Sequence, residues 1–316
     1  MILPKVLVTD GVHEILLEKL KEENFEVVYS PKISLEEVRD QIQDFTGLII
    51  NSKILVDEDL LKRAPKLKWI GRLGSGIEII DFSATKNHGI AVESCPEGNR
   101  NAVAEHMLGM LLSLLNHLPR IDKEVRDEFW DREGARGEEL IGKTVGLIGF
   151  GNTGRSFATK LQGMGVEVLA YDKYFPHFED HFPFVKSVQL KVIQQKADII
   201  SLHLPLTLET KGYVDSEFIG KCKNRFILLN SSRGACVKTQ DLVEGLENGK
   251  CRGACLDVFE NERPAAYNKV ESLLYQRLFS LSNVMLSPHV AGWTKESKYK
   301  LGLILFEKLQ KHFSRN

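Results

Sequence analysis

Arg233, Glu262 and His289 stand late in the chain, in Asn230-Ser-Ser-Arg-Gly, Leu256-Asp-Val-Phe-Glu-Asn-Glu and Ser287-Pro-His-Val-Ala-Gly. Together these residue types could move a proton and hold an anion. A histidine titrates near neutral pH, so it can give or take a proton at a reacting oxygen. A carboxylate beside it favours the imidazolium and orients the ring. An arginine fork grips a carboxylate through two parallel hydrogen bonds. Read singly, Arg233 could be an ion-pair partner, Glu262 a solvated loop acid and His289 a core histidine. Spacing alone does not choose.

A second stretch carries a different chemistry. Residues 145–172 read VGLIGFGNTGRSFATKLQGMGVEVLAYD. An apolar run leads into Gly149-Phe150-Gly151-Asn152-Thr153-Gly154, then a helix-like segment, a second apolar run and Asp172. Strand, glycine turn, helix, strand and acid are the full context of a dinucleotide site. Gly149 permits the tight turn, Gly151 lets the backbone approach a pyrophosphate, and Gly154 lets the helix pack close to the strand. The helix start at Asn152-Thr153 offers free N–H groups and a positive dipole end to phosphates. Asp172 can bond both ribose hydroxyls and would repel a 2′-phosphate, which favours NAD over NADP. Lys173 softens that preference.

Alternating elements must position these residues. Strands are expected at Lys5–Thr9, Glu26–Tyr29, Gly47–Asn51, Trp69–Leu73 and Ile90–Glu93, with helices between them such as His13–Glu22 and Asp57–Arg63. Such alternation implies a parallel sheet covered on both faces. After a loop near Cys95-Pro96-Glu97-Gly98-Asn99, residues Asn101–Leu118 read as one long apolar helix, suited to a core or an interface. Beyond the glycine motif, strands are expected at Asp198–Leu202, Phe226–Asn230, Gly253–Leu256 and Val284–Leu286, completing a second sheet. The last segment, Gly292–Phe313, reads as helix returning to the first lobe. The expected division is discontinuous, 1–98 with 290–316 as one domain and 99–289 as the other. A cleft between two such lobes is a natural ligand site.

Composition narrows the class. The 316 residues are 43% hydrophobic and 27% charged with a net charge of −1, the balance of a soluble globular chain of about two domains. No basic patch suggests nucleic acid and no charge run suggests a membrane surface. The apolar run around Met107–Leu118 is too short to span a bilayer. The N-terminal MILPKVLVTDG reads as a buried strand and not as a signal peptide. Cysteines 95, 222, 236, 251 and 255 form no CxxC pair, so thiols in a reducing cytoplasm are expected and no metal is.

Taken together, Arg72-Leu-Gly-Ser-Gly, Gly149–Gly154, His203-Leu-Pro-Leu-Thr, Asn230-Ser-Ser-Arg-Gly, Leu256-Asp-Val-Phe-Glu and Ser287-Pro-His-Val-Ala-Gly resemble the D-isomer-specific 2-hydroxyacid dehydrogenases. The resemblance covers nearly the whole length, with several independent motifs in order. It implies an α/β fold of two doubly wound parallel-sheet domains, a Rossmann NAD-binding domain and a flavodoxin-like substrate domain. It puts the family's catalytic arginine, glutamate and histidine on Arg233, Glu262 and His289. It assigns Gly74, Ser75 and Gly76 to the substrate carboxylate and Asp257 to the nicotinamide carboxamide. His203, Leu204 and Pro205 should line the adenosine side, Ser231 should touch the cofactor, and Gly292 should lie near the nicotinamide. A homodimer is implied, with Asn101–Leu118 and the segment around Trp130–Arg136 crossing to the partner. Two departures matter. Glu78-Ile79 follow the Gly-x-Gly turn where the family often has Asp-Asn. Arg263 separates Glu262 from Pro264, which leaves Glu260 as an alternative partner for the histidine.

The expected activity is NAD-dependent oxidation of a CH–OH group in a 2-hydroxy acid, or the reverse. Within the family the expected branch is the short-type phosphoglycerate enzymes, with D-3-phosphoglycerate of serine biosynthesis as substrate and no regulatory domain following Asn316. A phosphorylated substrate needs cations, and Lys53, Arg72, Arg100 and Arg132 are candidates. Asn51 stands where those enzymes usually carry an arginine, and Lys53 is the expected substitute. Glyoxylate or hydroxypyruvate reduction and D-lactate oxidation stay open. So does a different class, an NAD-sensing corepressor-like binding protein.

Overall fold

The structure, a computed structural model, describes residues 3–175, 178, 180–223 and 225–313. The chain forms two compact units, Met1–Arg100 with Trp293–Asn316, and Asn101–Gly292.

The first unit holds five parallel strands: β1 (Lys5–Val8), β2 (Glu26–Tyr29), β3 (Gly47–Ile50), β4 (Trp69–Arg72) and β5 (Ala91–Ser94). Their order is β2-β1-β3-β4-β5, the flavodoxin-like arrangement. The interior strand β3 is buried along its whole length, as its continuous apolar run Gly-Leu-Ile-Ile requires under two helical layers. A Cβ on Gly47 would lie 2.2 Å from the Trp69 ring, so the indole occupies space that only glycine leaves. The C-terminal helix begins at Lys295, after a capping box between Thr294 and Ser297, and ends at Leu309. It buries Leu305, Phe306 and Leu309 against Val6, Val8 and Trp69. The helical reading of Gly292–Phe313 is trimmed at both ends, with a 3-10 turn at Gln310–His312.

The second unit holds seven parallel strands: β6 (Thr144–Ile148), β7 (Glu167–Tyr171), β8 (Val185–Ser187), β9 (Ile199–Leu202), β10 (Phe226–Asn230), β11 (Cys251–Leu256) and β12 (Val284–Leu286). Their order is β12-β11-β10-β9-β6-β7-β8. From β6 the chain winds outward to β7 and β8, then crosses back to β9 on the other side. That reversal is the Rossmann switch point, where ligands bind beyond the carboxyl ends of the strands. The helix Arg100–Leu115 packs Val103, Ala104, Met107 and Leu111 into the same core as Leu147, Phe157 and Leu229.

The helix read over Asn101–Leu118 is one helix, Arg100–Leu115. His117 takes a left-handed φ of 54°, and a second helix, Leu118–Arg126, starts with Pro119 in its first turn. A proline fits there because its missing N–H has no partner in the first turn anyway. No residue of that second helix is buried. No helix among the described residues is long and apolar enough to cross a membrane.

Candidate active site

The glycine turn lies at the switch point of the second unit. Gly149 follows β6 with φ 92°, and a Cβ there would lie 2.3 Å from the carbonyl oxygen of His203, just past β9. Gly154, inside the helix Asn152–Leu161, would carry its Cβ 2.4 Å from the Gly149 carbonyl. Both glycines therefore let strand, loop and helix close on one another. Gly151 differs, because its Cβ would meet nothing within 4 Å. The open face of the turn is thus where backbone N–H groups and the start of the Asn152–Leu161 helix meet the surroundings, with Asn152 and Thr153 in its first turn. Leu204 borders Gly149, and the Pro205 carbonyl accepts from the Thr210 hydroxyl.

Asp172 sits at the end of β7, beside this turn. Its Oδ2 accepts the Phe150 N–H at 2.7 Å, and its Oδ1 accepts the N–H groups of Tyr174 and Phe175. The carboxylate is thereby aimed before any ligand arrives. Each oxygen has two lone pairs, so Oδ2 keeps one for a ribose hydroxyl.

His203, expected on the adenosine side, borders the glycine turn. Its ring packs on Phe157 at 5.6 Å, and neither ring nitrogen has a hydrogen-bond partner among the described residues. Burial pushes its pKa down to about 3. The His203 carbonyl and Cβ face the glycine turn, and both ring nitrogens are buried.

The proton chemistry gathers at the same edge of the sheet. His289 Nδ1 lies 2.8 Å from Glu262 Oε2, and no described residue engages its Nε2. Glu262, not Glu260, makes this contact; the Glu260 carboxylate instead accepts the Thr239 N–H. The hydrogen bond from Glu262 raises the histidine pKa, against desolvation and the Arg233 charge. For Glu262, desolvation pushes upward, but the His289 hydrogen bond and charge, with the Phe259 N–H and Arg233, leave it below the usual carboxylate range. The pair therefore favours imidazolium beside carboxylate.

Arg233 reaches this region through Gly234. A Cβ on Gly234 would lie 1.8 Å from the Phe259 carbonyl, so the loops after β10 and β11 touch only because that residue is glycine. Asn230 folds the Arg233 loop, accepting from Ser232 and donating to the Arg233 carbonyl. The neighbouring Ser231 hydroxyl is buried with no hydrogen-bond partner among the described residues. A cavity of about 380 Å³ opens beside the histidine pair, lined by Phe259, Pro264, Tyr267, Phe279, Glu262 and His289 among others, with no Lys or Arg in its walls.

Asp257, expected to face the nicotinamide carboxamide, is engaged within the protein. It is 1% exposed, and its carboxylate accepts from the Ser287 hydroxyl and from the N–H groups of Val290 and Ala291. It holds the loop that carries His289 and leads to Gly292. Ser287 and its second partner, His106, went unread in the sequence; an isolated histidine in an apolar helix gives no signal of a contact 181 residues away.

The substrate candidates Asn51, Lys53, Arg72, Gly74, Ser75 and Gly76 lie in the first unit, and the candidate cation Arg132 in the second. The Asn51 N–H donates to Asp10, and Lys53 Nζ donates to the Pro31 carbonyl at 2.8 Å. The Arg72 guanidinium donates to the Leu73 carbonyl and curls over Gly74, whose φ is 132°. Gly74 exchanges hydrogen bonds with Cys95, which fixes the loop leading to Ser75 and Gly76. Among the described residues, no group of three His, Cys, Asp or Glu side chains could hold a metal ion.

The parallel sheets and the glycine turn at a switch point define a two-unit α/β nucleotide-binding protein. The open face before Gly151, the aimed Asp172 carboxylate and the unpartnered Ser231 hydroxyl fit a bound dinucleotide. Residues 108–291, more than half of the chain, match the family described as "D-isomer specific 2-hydroxyacid dehydrogenase, NAD binding domain". The chain belongs to this family. Over 303 residues it is 32% identical to the D-3-phosphoglycerate dehydrogenase of Archaeoglobus fulgidus, covering 96% of this chain and 56% of that protein. Over 308 residues it is 34% identical to that of Methanocaldococcus jannaschii, covering 97% and 57%. The chain thus spans about half the length of the curated relatives it matches. Among solved structures, the D-lactate dehydrogenase from Aquifex aeolicus complexed with NAD and lactic acid is similar, with a TM-score of 0.84 and 27% identity, covering 97% of this chain and 94% of that one.

Proposed function

We propose that this protein is an NAD-dependent D-2-hydroxyacid dehydrogenase, with D-3-phosphoglycerate as its substrate. The observation that carries the reading is the His289–Glu262 pair at the carboxyl edge of the sheet that bears the glycine turn. The nicotinamide, when bound, supplies or accepts the hydride. His289 Nε2 protonates the carbonyl oxygen of a 2-oxo acid in reduction and takes the hydroxyl proton in oxidation. Glu262 holds the ring and keeps it charged until that proton is given. Arg233 binds the substrate carboxylate and polarises the carbonyl. Gly74, Ser75 and Gly76 are the substrate-binding residues of the first unit, with the Ser75 and Gly76 N–H groups offered to an anion. Gly149, Gly151, Asn152, Thr153 and Gly154 receive the pyrophosphate, Asp172 the ribose, and Ser231 and Gly292 the nicotinamide half.

The names of the relatives support the phosphorylated acid, with Lys53 and Arg72 as its cations. A second reading, an unphosphorylated acid such as glyoxylate, hydroxypyruvate or lactate, is favoured by Lys53 being committed to the Pro31 carbonyl and by the neutral Asn51. NADH oxidation with 3-phosphohydroxypyruvate, hydroxypyruvate, glyoxylate and pyruvate decides. A kcat/KM for the phosphorylated acid at least about tenfold above the others, a gap of about 1.4 kcal/mol, is expected. Preference for an unphosphorylated acid selects the second reading. NADH binding without any turnover refutes the enzyme and leaves a binding protein.

We further propose a homodimer in the cytoplasm. Leu118, Val125, Phe129 and Trp130 leave 46–70% of their surface exposed along one short stretch, which a second copy would cover.

A further inference from the structure

We propose that His106 is a positioning residue for His289, acting through Ser287 and Asp257. His106 Nε2 lies 2.9 Å from Ser287 Oγ, and Ser287 Oγ lies 2.6 Å from Asp257 Oδ1. The Asp257 carboxylate also accepts the N–H groups of Val290 and Ala291, each at 2.9 Å, so it acts as an acceptor throughout. A hydroxyl has one proton, and the shorter contact takes it toward Asp257. The imidazole nitrogen must then donate to Ser287. This fixes the His106 tautomer with its hydrogen on Nε2, which itself lies 3.8 Å from Asp257 Oδ1.

The far end of the chain of bonds is the His289 backbone. The Asp257 carbonyl accepts the His289 N–H at 2.7 Å, and its carboxylate holds the next two N–H groups. Three successive amides are thus tied to one residue. They need to be, because His289 takes a left-handed φ of 56°, a conformation that a residue with a Cβ keeps only when its surroundings impose it. His106 comes from the Arg100–Leu115 helix, whose apolar side chains are packed in the core. It anchors the tie to a rigid element and holds the direction in which Nε2 of His289 points.

The test compares two substitutions. His106→Leu keeps the bulk and removes the donor, whereas His106→Gln places an amide nitrogen where Nε2 stood. The inference rests on the dehydrogenase reading for its kinetic arm. In the full chain, His106→Leu is expected to lower kcat about tenfold while KM for NADH stays within about twofold, since misplacing a catalytic group slows chemistry more than binding. His106→Gln should recover kcat to within about threefold of the original. Adding Ser287→Ala to His106→Leu should cost little more, because members of one chain of bonds are not additive. A folded His106→Leu protein with unchanged kcat overturns the proposal, as does a double variant whose losses multiply. Should the unaltered protein reduce no 2-oxo acid, the dehydrogenase reading fails by itself. Positioning is then read from the imidazole NMR signals of His289, assigned with His289→Gln. His106→Leu must shift them and His106→Gln must return them; unmoved signals overturn the proposal. If His106→Leu does not fold, Ser287→Ala alone serves for both readouts.

Discussion

A charged His289 and a free Nε2 are what reduction requires, and the Glu262 hydrogen bond supplies the first. Two outcomes follow at this scale. His289→Gln should lower kcat by about 10²- to 10⁴-fold, while NADH binding measured by fluorescence stays nearly unchanged. Glu262→Gln should move the pH profile. On the proposed dehydrogenase reading, the raised pKa of His289 should let reduction persist above the ordinary histidine range and fail as pH rises through the folded value. Without the carboxylate, that fall in the NADH-dependent rate should occur at lower pH, and oxidation, which needs the neutral ring, should extend to lower pH. An unshifted profile would show that Glu262 does not set the protonation of His289. The sequence put the partner of the histidine on Glu262 and left Glu260 as an alternative, because the inserted Arg263 changes the loop and loop geometry is not periodic.

At the scale of elements, the glycine turn is the part most legible in advance. An apolar run, three spaced glycines and an acid after a second apolar run constrain one another, and local backbone sterics do the rest. Gly154 makes the point testable. Its Cβ would meet the Gly149 carbonyl at 2.4 Å, so Gly154→Ala must push the helix off the strand. Strain of this kind costs about 1–3 kcal/mol, visible as a lower urea midpoint. NADH affinity should fall as well, since the turn widens. Less legible were the break at His117, the three-residue strand Val185–Ser187 and the helix Lys269–Ser280. The first hangs on one left-handed residue, and the second is too short to show a period.

For the whole molecule, His203 couples acid stability to the core. Its folded pKa is lowered to about 3, well under the value of 6.5 for an exposed ring. The unfolded chain therefore binds the extra proton first. Stability from the neutral ring is complete above pH 6.5 and is lost as pH falls from there toward 3. At pH 5 the loss is about 2 kcal/mol, and His203→Leu should remove that part of the pH dependence of unfolding. A His203→Leu profile parallel to the original would refute it. Assembly gives a second outcome. Light scattering should return twice the chain mass of 35.7 kDa, and Trp130→Asp, which puts a charge on the exposed apolar stretch, should return the single mass. A monomer at the start would remove the homodimer, and a dimer that survives the substitution would remove this stretch from its interface.

Taken alone, the amino-acid sequence determined the α/β class, the alternation of elements and the place of the glycine turn, because apolar periodicity and glycine sterics act over a few residues. It also singled out Arg233, Glu262 and His289 by residue type and motif. Tertiary structure decided what those residues touch. It took Glu262 to His289 across 27 positions, packed the His203 ring on Phe157, and spent the Asp257 carboxylate on the loop that carries His289. It also brought His106 to Ser287. The physical reason is that long-range packing and hydrogen-bond closure choose among side-chain directions that local pattern leaves equal.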